Sequence, residues 1–419
     1  MANAKNMTTE DPLLAPPTSA PQTPLLRDEQ PPLRPSLLEV SPVTRRMENL
    51  DALRILCMLV IILTHVTEPF IDWQHKRNES FGPLGLAILA INVMGRFGVP
   101  CFMMISFFIY WHQLYEKGRS WGELLARRLK RLVPAFVCWS TFYFLLHRRL
   151  YKMYGNAEWY NPLAEFKFSI FNWRTWRGLA LGQAEYHLYY LPLVMQCLLL
   201  IPLLRLLWRK PAISWTWIGI TTAAWIVMVY GPVFFPEGST AAHLSLRFTR
   251  AMNQPWAIPF IFFPLFGMMC AGQIQWRKFL AHSTTRFWIT VLILGLALHA
   301  AEAIFLMKRI PHDLPRIVAF TKVGRILTGF AVFALFIRNP LMRDPFPRVS
   351  HYAFGLHFMH PFIIIVISFA ELKLLGPSIA HFQNWIIPVL AINLLLTFYI
   401  TFALCLLIGR FKRLEFLVV

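Results

Sequence analysis

The chain has 419 residues, 56% of them hydrophobic, with 36 Phe, 15 Trp and a formal net charge of +20. Apolar runs of about eighteen or more residues recur along it, which excludes a soluble globular domain and marks a multi-span membrane protein. The basic residues sit mostly between those runs, so topology and anionic lipid account for them, and no basic domain is present to carry nucleic acid.

Residues 1–46 are rich in Pro, Thr, Ser and Gln and read as a disordered cytoplasmic tail. They hold no apolar stretch of signal-peptide form. Arg45 and Arg46 hold the start of the first span on the inner side. That span, about 49–69, is the stretch around which the chain is organised. It carries Asp51, Arg54, His65 and Glu68. On a helix, Arg54 and His65 project within roughly 20° of each other and about 16 Å apart along the axis. Ionisable groups so deep in an apolar run usually face the bundle interior and mark a site.

A polar loop, residues 72–80, precedes span two at about 85–114, which is interrupted at residues 95–100. The densest basic cluster follows, with Lys117, Arg119, Arg127, Arg128, Lys130 and Arg131, and is placed in the cytoplasm. Residues 122–131 form a candidate basic helix lying on the inner leaflet. Span three is about 132–150, and a wet segment, 151–184, carries Trp159, Tyr160, Trp173 and Trp176. Spans four to ten follow at about 186–207, 213–235, 255–275, 286–306, 318–337, 350–371 and 384–409. The expected fold is therefore all-α, a polytopic membrane protein with about ten transmembrane helices and both termini cytoplasmic. It comprises the tail 1–46, a membrane domain 47–410 and a short basic cytoplasmic tail 411–419. One outer loop, with Arg148, Arg149, Lys152, Lys167, Arg174 and Arg177 in or beside it, breaks the positive-inside pattern and suggests a polar ligand nearby, or interfacial anchoring.

Three further stretches carry chemistry. Residues 95–106 place Arg96 in a Gly/Pro break, where a guanidinium can hold a carboxylate or phosphate, and bring Ser106 into the same span. Ser106 has no base at helical spacing, which disfavours it as an acyl carrier. Residues 185–192 offer Glu185, His187 and Tyr190 among aromatic faces at the outer start of span four, where a sugar can dock. Residues 350–361 place His357 and His360 on one helical face. Two histidines without a carboxylate pair make a poor metal site, so packing or substrate contact is preferred and no metal is expected. Glu302, Lys322 and Arg325, in or near spans seven and eight, either pair with one another or line the same interior. The six cysteines lie in the apolar runs without metal or disulfide spacing.

Taken together, these stretches resemble the acyltransferase-3 family of integral membrane acyltransferases. Residues 50–54, Leu-Asp-Ala-Leu-Arg, followed by His65 resemble its first-span signature, and residues 95–106 its second-span motif. Residues 127–134 resemble its basic run, residues 187–191 its His-Leu-Trp-Phe-Leu element with Tyr in place of Trp and Phe, and residues 350–361 its closing element. The family usually has Gly after the second-motif serine; here Phe107 stands there. The resemblance covers about 47–410.

It implies transfer of an acyl group, most often acetyl, from acyl-coenzyme A to a hydroxyl of an extracytoplasmic polysaccharide or lipid-linked glycan. It also implies a multi-pass protein of the bacterial cytoplasmic membrane working beside polysaccharide synthesis or export machinery, with acetyl-CoA as co-substrate and no bound cofactor. On that reading His65 is the general base, oriented by Glu68. Arg54, oriented by Asp51, and Arg96 hold the donor or the oxyanion, and Arg127, Arg128, Lys130 and Arg131 meet the donor phosphates. Competing readings are a transporter of a small anion or lipid-linked sugar, favoured by broken helices but showing no inverted repeat, and a non-catalytic export subunit. A glycerolipid acyltransferase is disfavoured, since no His is followed five positions on by Asp.

Overall fold

A computed structural model describes residues 48–76, 82–154, 173–208, 210–235, 239–240, 243–244, 257, 260–309, 322–338, 347–375 and 385–419. The expected tail 1–46, together with Trp159, Tyr160 and Lys167, lies outside the described residues. Every regular element among the described residues is helical.

The chain opens with α1 (Glu48–Lys76), then α2 (Pro83–Gly95), α3 (Gly98–Trp111), α4 (Trp121–Tyr154) and α5 (Trp173–Ala180). It continues through α6 (Tyr190–Leu199), α7 (Ile201–Trp208), α8 (Pro211–Phe234), α9 (Phe262–Gly272) and α10 (Ile274–His282). It closes with α11 (Thr285–Arg309), α12 (Val323–Arg338), α13 (Pro347–His351), α14 (Ala353–Leu375) and α15 (Ile386–Gly409).

Among the described residues, six stretches are long and apolar enough to cross a membrane: Asn49–Asp72, Pro83–Glu116, Trp121–Leu150, Thr285–Arg309, Ala353–Glu371 and Ile386–Gly409. The pair α6 and α7, bent by 64°, makes a seventh if counted as one span. Of the three other expected spans, α8 is a 24-residue helix that does not join that set, while α9 and α12 have only 11 and 16 residues. At about 1.5 Å per residue, 16 residues fall short of a hydrocarbon core of about 30 Å.

Two local expectations change. The basic stretch 122–131 is not a separate surface helix but the first turns of α4, which runs on unbroken through Pro134. Proline costs such a helix one rung and a local clash, which 34 residues accommodate. Span two does break where expected. α2 ends at Gly95 and α3 starts at Gly98, with Arg96 capping α2 at φ −72°, ψ 2°.

α1 is the central rod. It packs against α2, α3, α12, α14 and α15, and Leu53, Cys57, Met58 and Ile62 on it have no exposed surface. α3 lies against α9, and Phe107 between them is fully buried, with its ring edge-on to Tyr110 at 5.3 Å. The close approach that a glycine at 107 would offer is made one turn earlier. A Cβ on Gly267 of α9 would stand 2.4 Å from the Met104 carbonyl oxygen.

Candidate active site

α1 places its four polar residues at two ends of one stripe. At the first, Asp51 is buried and pairs with Arg54, whose side chain keeps 29% of its exposure. At the second, His65 and Glu68 are partly buried, one turn apart. The two ends do not touch: Met58 and Ile61, both buried, fill the stripe between them.

The Nδ1 of His65 lies 3.1 Å from Oε2 of Glu68. A carboxylate only accepts, so Nδ1 carries a proton, and in the neutral ring Nε2 is the atom with the lone pair. The other Glu68 oxygen, Oε1, accepts from Arg96 Nη2 at 3.4 Å, and Arg96 Nε donates to Asn92 Oδ1 at 3.0 Å. Asn92 returns to α1, its Nδ2 donating to the Thr64 carbonyl (2.8 Å) and to the Thr67 hydroxyl (2.9 Å). A closed polar circuit thus fixes the His65 ring from two helices. Pro69, inside the same helix, lacks the N–H that would bond the His65 carbonyl, so that carbonyl has no rung partner at position 69.

Around His65 gather the rings that the sequence scattered across 300 residues. Tyr186 lies 4.3 Å away and His360 stacks at 5.4 Å. His187 stands 5.4 Å from His360 and 5.3 Å from His357, and Tyr190 stands 5.5 Å from His357. His360 Nδ1 donates to the Leu356 carbonyl at 2.9 Å, which leaves Nε2 as an acceptor. That atom, the His357 Nε2 and both nitrogens of His187 are buried without a hydrogen-bond partner among the described residues. Buried polar atoms are normally satisfied, so such a group invites a polar ligand.

α4 buttresses the cluster. The Tyr143 hydroxyl donates to the Phe358 carbonyl at 2.6 Å and accepts from the Phe362 N–H at 3.2 Å, the two ends of one helical rung beside Pro361. Glu185 is buried against His147 of α4, with Oε2 and Nε2 2.5 Å apart. This contact ties the 185–190 segment to α4.

The expected donor-binding residues divide. The Arg128 guanidinium lies 4.9 Å from the Tyr110 ring centroid, and Arg131 is within electrostatic reach of both Arg128 and Arg54. Arg131 also donates through Nε to the Val419 carbonyl at 2.9 Å, with Glu415 nearby, so residues 415–419 dock on α4. Arg127 and Lys130 are exposed. Between the two ends of the site stands Tyr190, whose hydroxyl faces Ser106. Ser106 thus has a tyrosine neighbour, which is no base for a nucleophile at neutral pH.

A family model described as an acyltransferase domain matches residues 47–410. The chain belongs to the acyltransferase-3 family. Every residue of the circuit and of the histidine cluster lies within the matched span, so the candidate site of this membrane acyltransferase falls on the family domain itself. No curated protein and no solved structure matches the chain.

Sequence reasoning missed Asn92, Tyr143 and His147. Asn92 was legible as an amide inside an otherwise apolar helix, where an unpaired polar group is costly. Tyr143 and His147 gave no comparable signal, because aromatic residues fill the whole chain.

Proposed function

We propose that this acyltransferase moves an acyl group, acetyl by preference, from acyl-coenzyme A to a hydroxyl of an extracytoplasmic polysaccharide or lipid-linked glycan in a bacterial cytoplasmic membrane. The observation that carries the reading is His65, held by Glu68 through Nδ1 and flanked by buried imidazoles with unpartnered nitrogens. His65 Nε2 takes the proton of the acceptor hydroxyl as its oxygen attacks the thioester carbonyl carbon. The C–S bond breaks, the new C–O bond closes the ester, and the departing thiolate takes up the proton from His65. Glu68 steadies the imidazolium that forms in between, and Arg96 with Asn92 steadies Glu68.

Arg54, with Arg128 and Arg131, takes the phosphates of the donor. The expected oxyanion role of Arg54 is not kept, because eleven residues of helix separate it from His65 by about 16 Å. A gap of that kind is one the pantetheine arm of coenzyme A bridges, passing Tyr190. The chain crosses the membrane ten times with both ends in the cytoplasm, a topology favoured by the basic segments between alternate spans.

The test is transfer of radiolabelled acetyl from acetyl-CoA to membrane glycan by the purified protein in lipid nanodiscs, paired with mass spectrometry of surface glycans from cells. Wild type labels glycan and His65→Ala does not. Full acetylation by His65→Ala at matched expression overturns the mechanism, and flux of a glycan without acyl transfer overturns the function.

A further inference from the structure

The face that α4 turns outward is uncharged over most of its length and basic at both ends. Lys130, Arg131, Arg148 and Arg149 are exposed. Between the two pairs the exposed positions are 133, 134, 137, 138, 141, 142 and 145, which carry Val, Pro, Val, Cys, Thr, Phe and Leu. Val137 and Leu145 each keep 54% of their surface. At about 1.5 Å per residue the two pairs stand about 27 Å apart along the helix. A hydrocarbon core is about 30 Å thick, so the length and composition of this face match a bilayer, with a basic pair at each headgroup level.

α5 is held at the level of Arg148 and Arg149. Glu185 pairs with His147, the residue before Arg148, and Leu179 of α5 packs on the same buried cluster as Leu146. The joint between α5 and Glu185 is tight. Gly182, at φ +72°, donates its N–H to the Leu179 carbonyl (3.1 Å), and the Gln183 N–H reaches the Gly178 carbonyl (2.8 Å). This pair of bonds closes the helix on a left-handed residue, and a Cβ at 182 would stand 2.6 Å from the Leu188 carbonyl oxygen. The two faces of α5 differ. Thr175 and Gly178 are buried, while Trp173, Trp176, Arg177 and Ala180 are exposed at the i, i+3, i+4, i+7 spacing of a single face. Trp173 keeps 72% of its surface and Trp176 57%. Indoles favour the boundary between hydrocarbon and water, and guanidiniums at that depth meet phosphate.

We propose that the outward face of α5, together with Arg148 and Arg149, is a docking surface for anionic phospholipid headgroups. The two indoles lie at the hydrocarbon boundary and the three guanidiniums reach the lipid phosphates. Continuity with the uncharged face of α4 favours lipid over a soluble glycan as the occupant. The segment that lays Tyr186 against His65 is thereby moored to the membrane surface. This surface stands on geometry alone and does not depend on the transferase reading.

The experiment uses the full chain in nanodiscs without acyl donor and follows tryptophan fluorescence. The chain has 15 Trp, so the signal of interest is the difference between wild type and Trp173→Phe/Trp176→Phe. Lipids brominated near the headgroup end of the acyl chain quench that signal, and acrylamide in the water quenches it weakly. Brominated phosphatidylglycerol quenches it more than brominated phosphatidylcholine at equal mole fraction, with a local enrichment of about fivefold, the effect of one basic group at a charged surface. Arg148→Gln/Arg149→Gln/Arg177→Gln brings the two lipids to equal quenching. Trp176→Phe alone supplies the difference signal should the double variant fail to fold. Strong quenching by acrylamide with none by brominated lipid overturns the surface, and protection from acrylamide by a soluble oligosaccharide assigns the face to glycan instead. Equal quenching by the two lipids in wild type overturns the preference for anionic headgroups. None of these readings involves acyl transfer, so failure of the transferase mechanism leaves them unchanged.

Discussion

His65 and Glu68 sit one helical turn apart with Nδ1 and Oε2 at 3.1 Å, and Glu68 is in turn held by Arg96 of the neighbouring break. A base oriented in this way is worth roughly 10² to 10⁴ in rate. His65→Ala is expected to lower kcat by that range while leaving the KM for acetyl-CoA near wild type. Glu68→Gln keeps a hydrogen-bond acceptor but loses the charge, and is expected to cost roughly tenfold to a hundredfold, as for other groups that fix a histidine ring. Steady-state kinetics on the two variants separate the roles.

Arg96 bonds two different acceptors through two different nitrogens, Asn92 at 3.0 Å and Glu68 at 3.4 Å. A lysine is a point charge on a flexible stem and cannot reproduce that fork. Arg96→Lys is therefore expected to behave like Glu68→Gln in kcat despite keeping the charge, and Asn92→Leu to behave similarly. Activity of Arg96→Lys equal to wild type would show that charge alone matters there.

At the other end of α1, Arg131 and Arg54 share one electrostatic neighbourhood; Arg127, Lys130 and Arg131 are all exposed, and Arg131 is also tied to the Val419 carbonyl. Arg131→Gln is expected to raise the KM for acetyl-CoA several-fold with kcat little changed, and Arg127→Gln to do less than half as much on a logarithmic scale. Added salt is expected to raise the wild-type KM and to narrow the gap between wild type and Arg131→Gln, since part of the attraction is screenable.

α11 and α12 pack tightly at Gly324, where a Cβ would stand 2.4 Å from the His299 backbone nitrogen. Backbone on one side cannot rotate out of the way as a side chain can. Gly324→Ala is expected to destabilise the protein by about 1–3 kcal/mol through overpacking. A fall in unfolding temperature in nanodiscs checks this, with the control Gly219→Ala, which meets nothing within 4 Å, close to wild type.

Much of this site is legible in the sequence because ionisable groups in apolar runs are few and expensive. Asp51, Arg54, His65, Glu68, Arg96, His187, His357 and His360 all stand out that way, and the break at 95–100 announces itself by glycine and proline. Helical spacing even pairs His65 with Glu68 and Arg54 with Asp51 in advance. What spacing cannot convey is which distant segments meet. Nothing in residues 185–190 says that Tyr186 will lie against His65, or that Glu185 will turn to His147. The span count suffers for a related reason. Hydropathy marks apolar length, whereas α9 and α12 are regular over only 11 and 16 residues. The separate basic helix at 122–131 failed because charge pattern and helix continuity are independent properties.

The Tyr143 hydroxyl, lodged in the rung beside Pro361, belongs to the same unbroken rod as Arg131, about 18 Å further back along α4. Through that one phenol the turn bearing His357 and His360 is tied to the helix that begins with the basic cluster, so Tyr143→Phe is expected to loosen the two imidazoles without touching either.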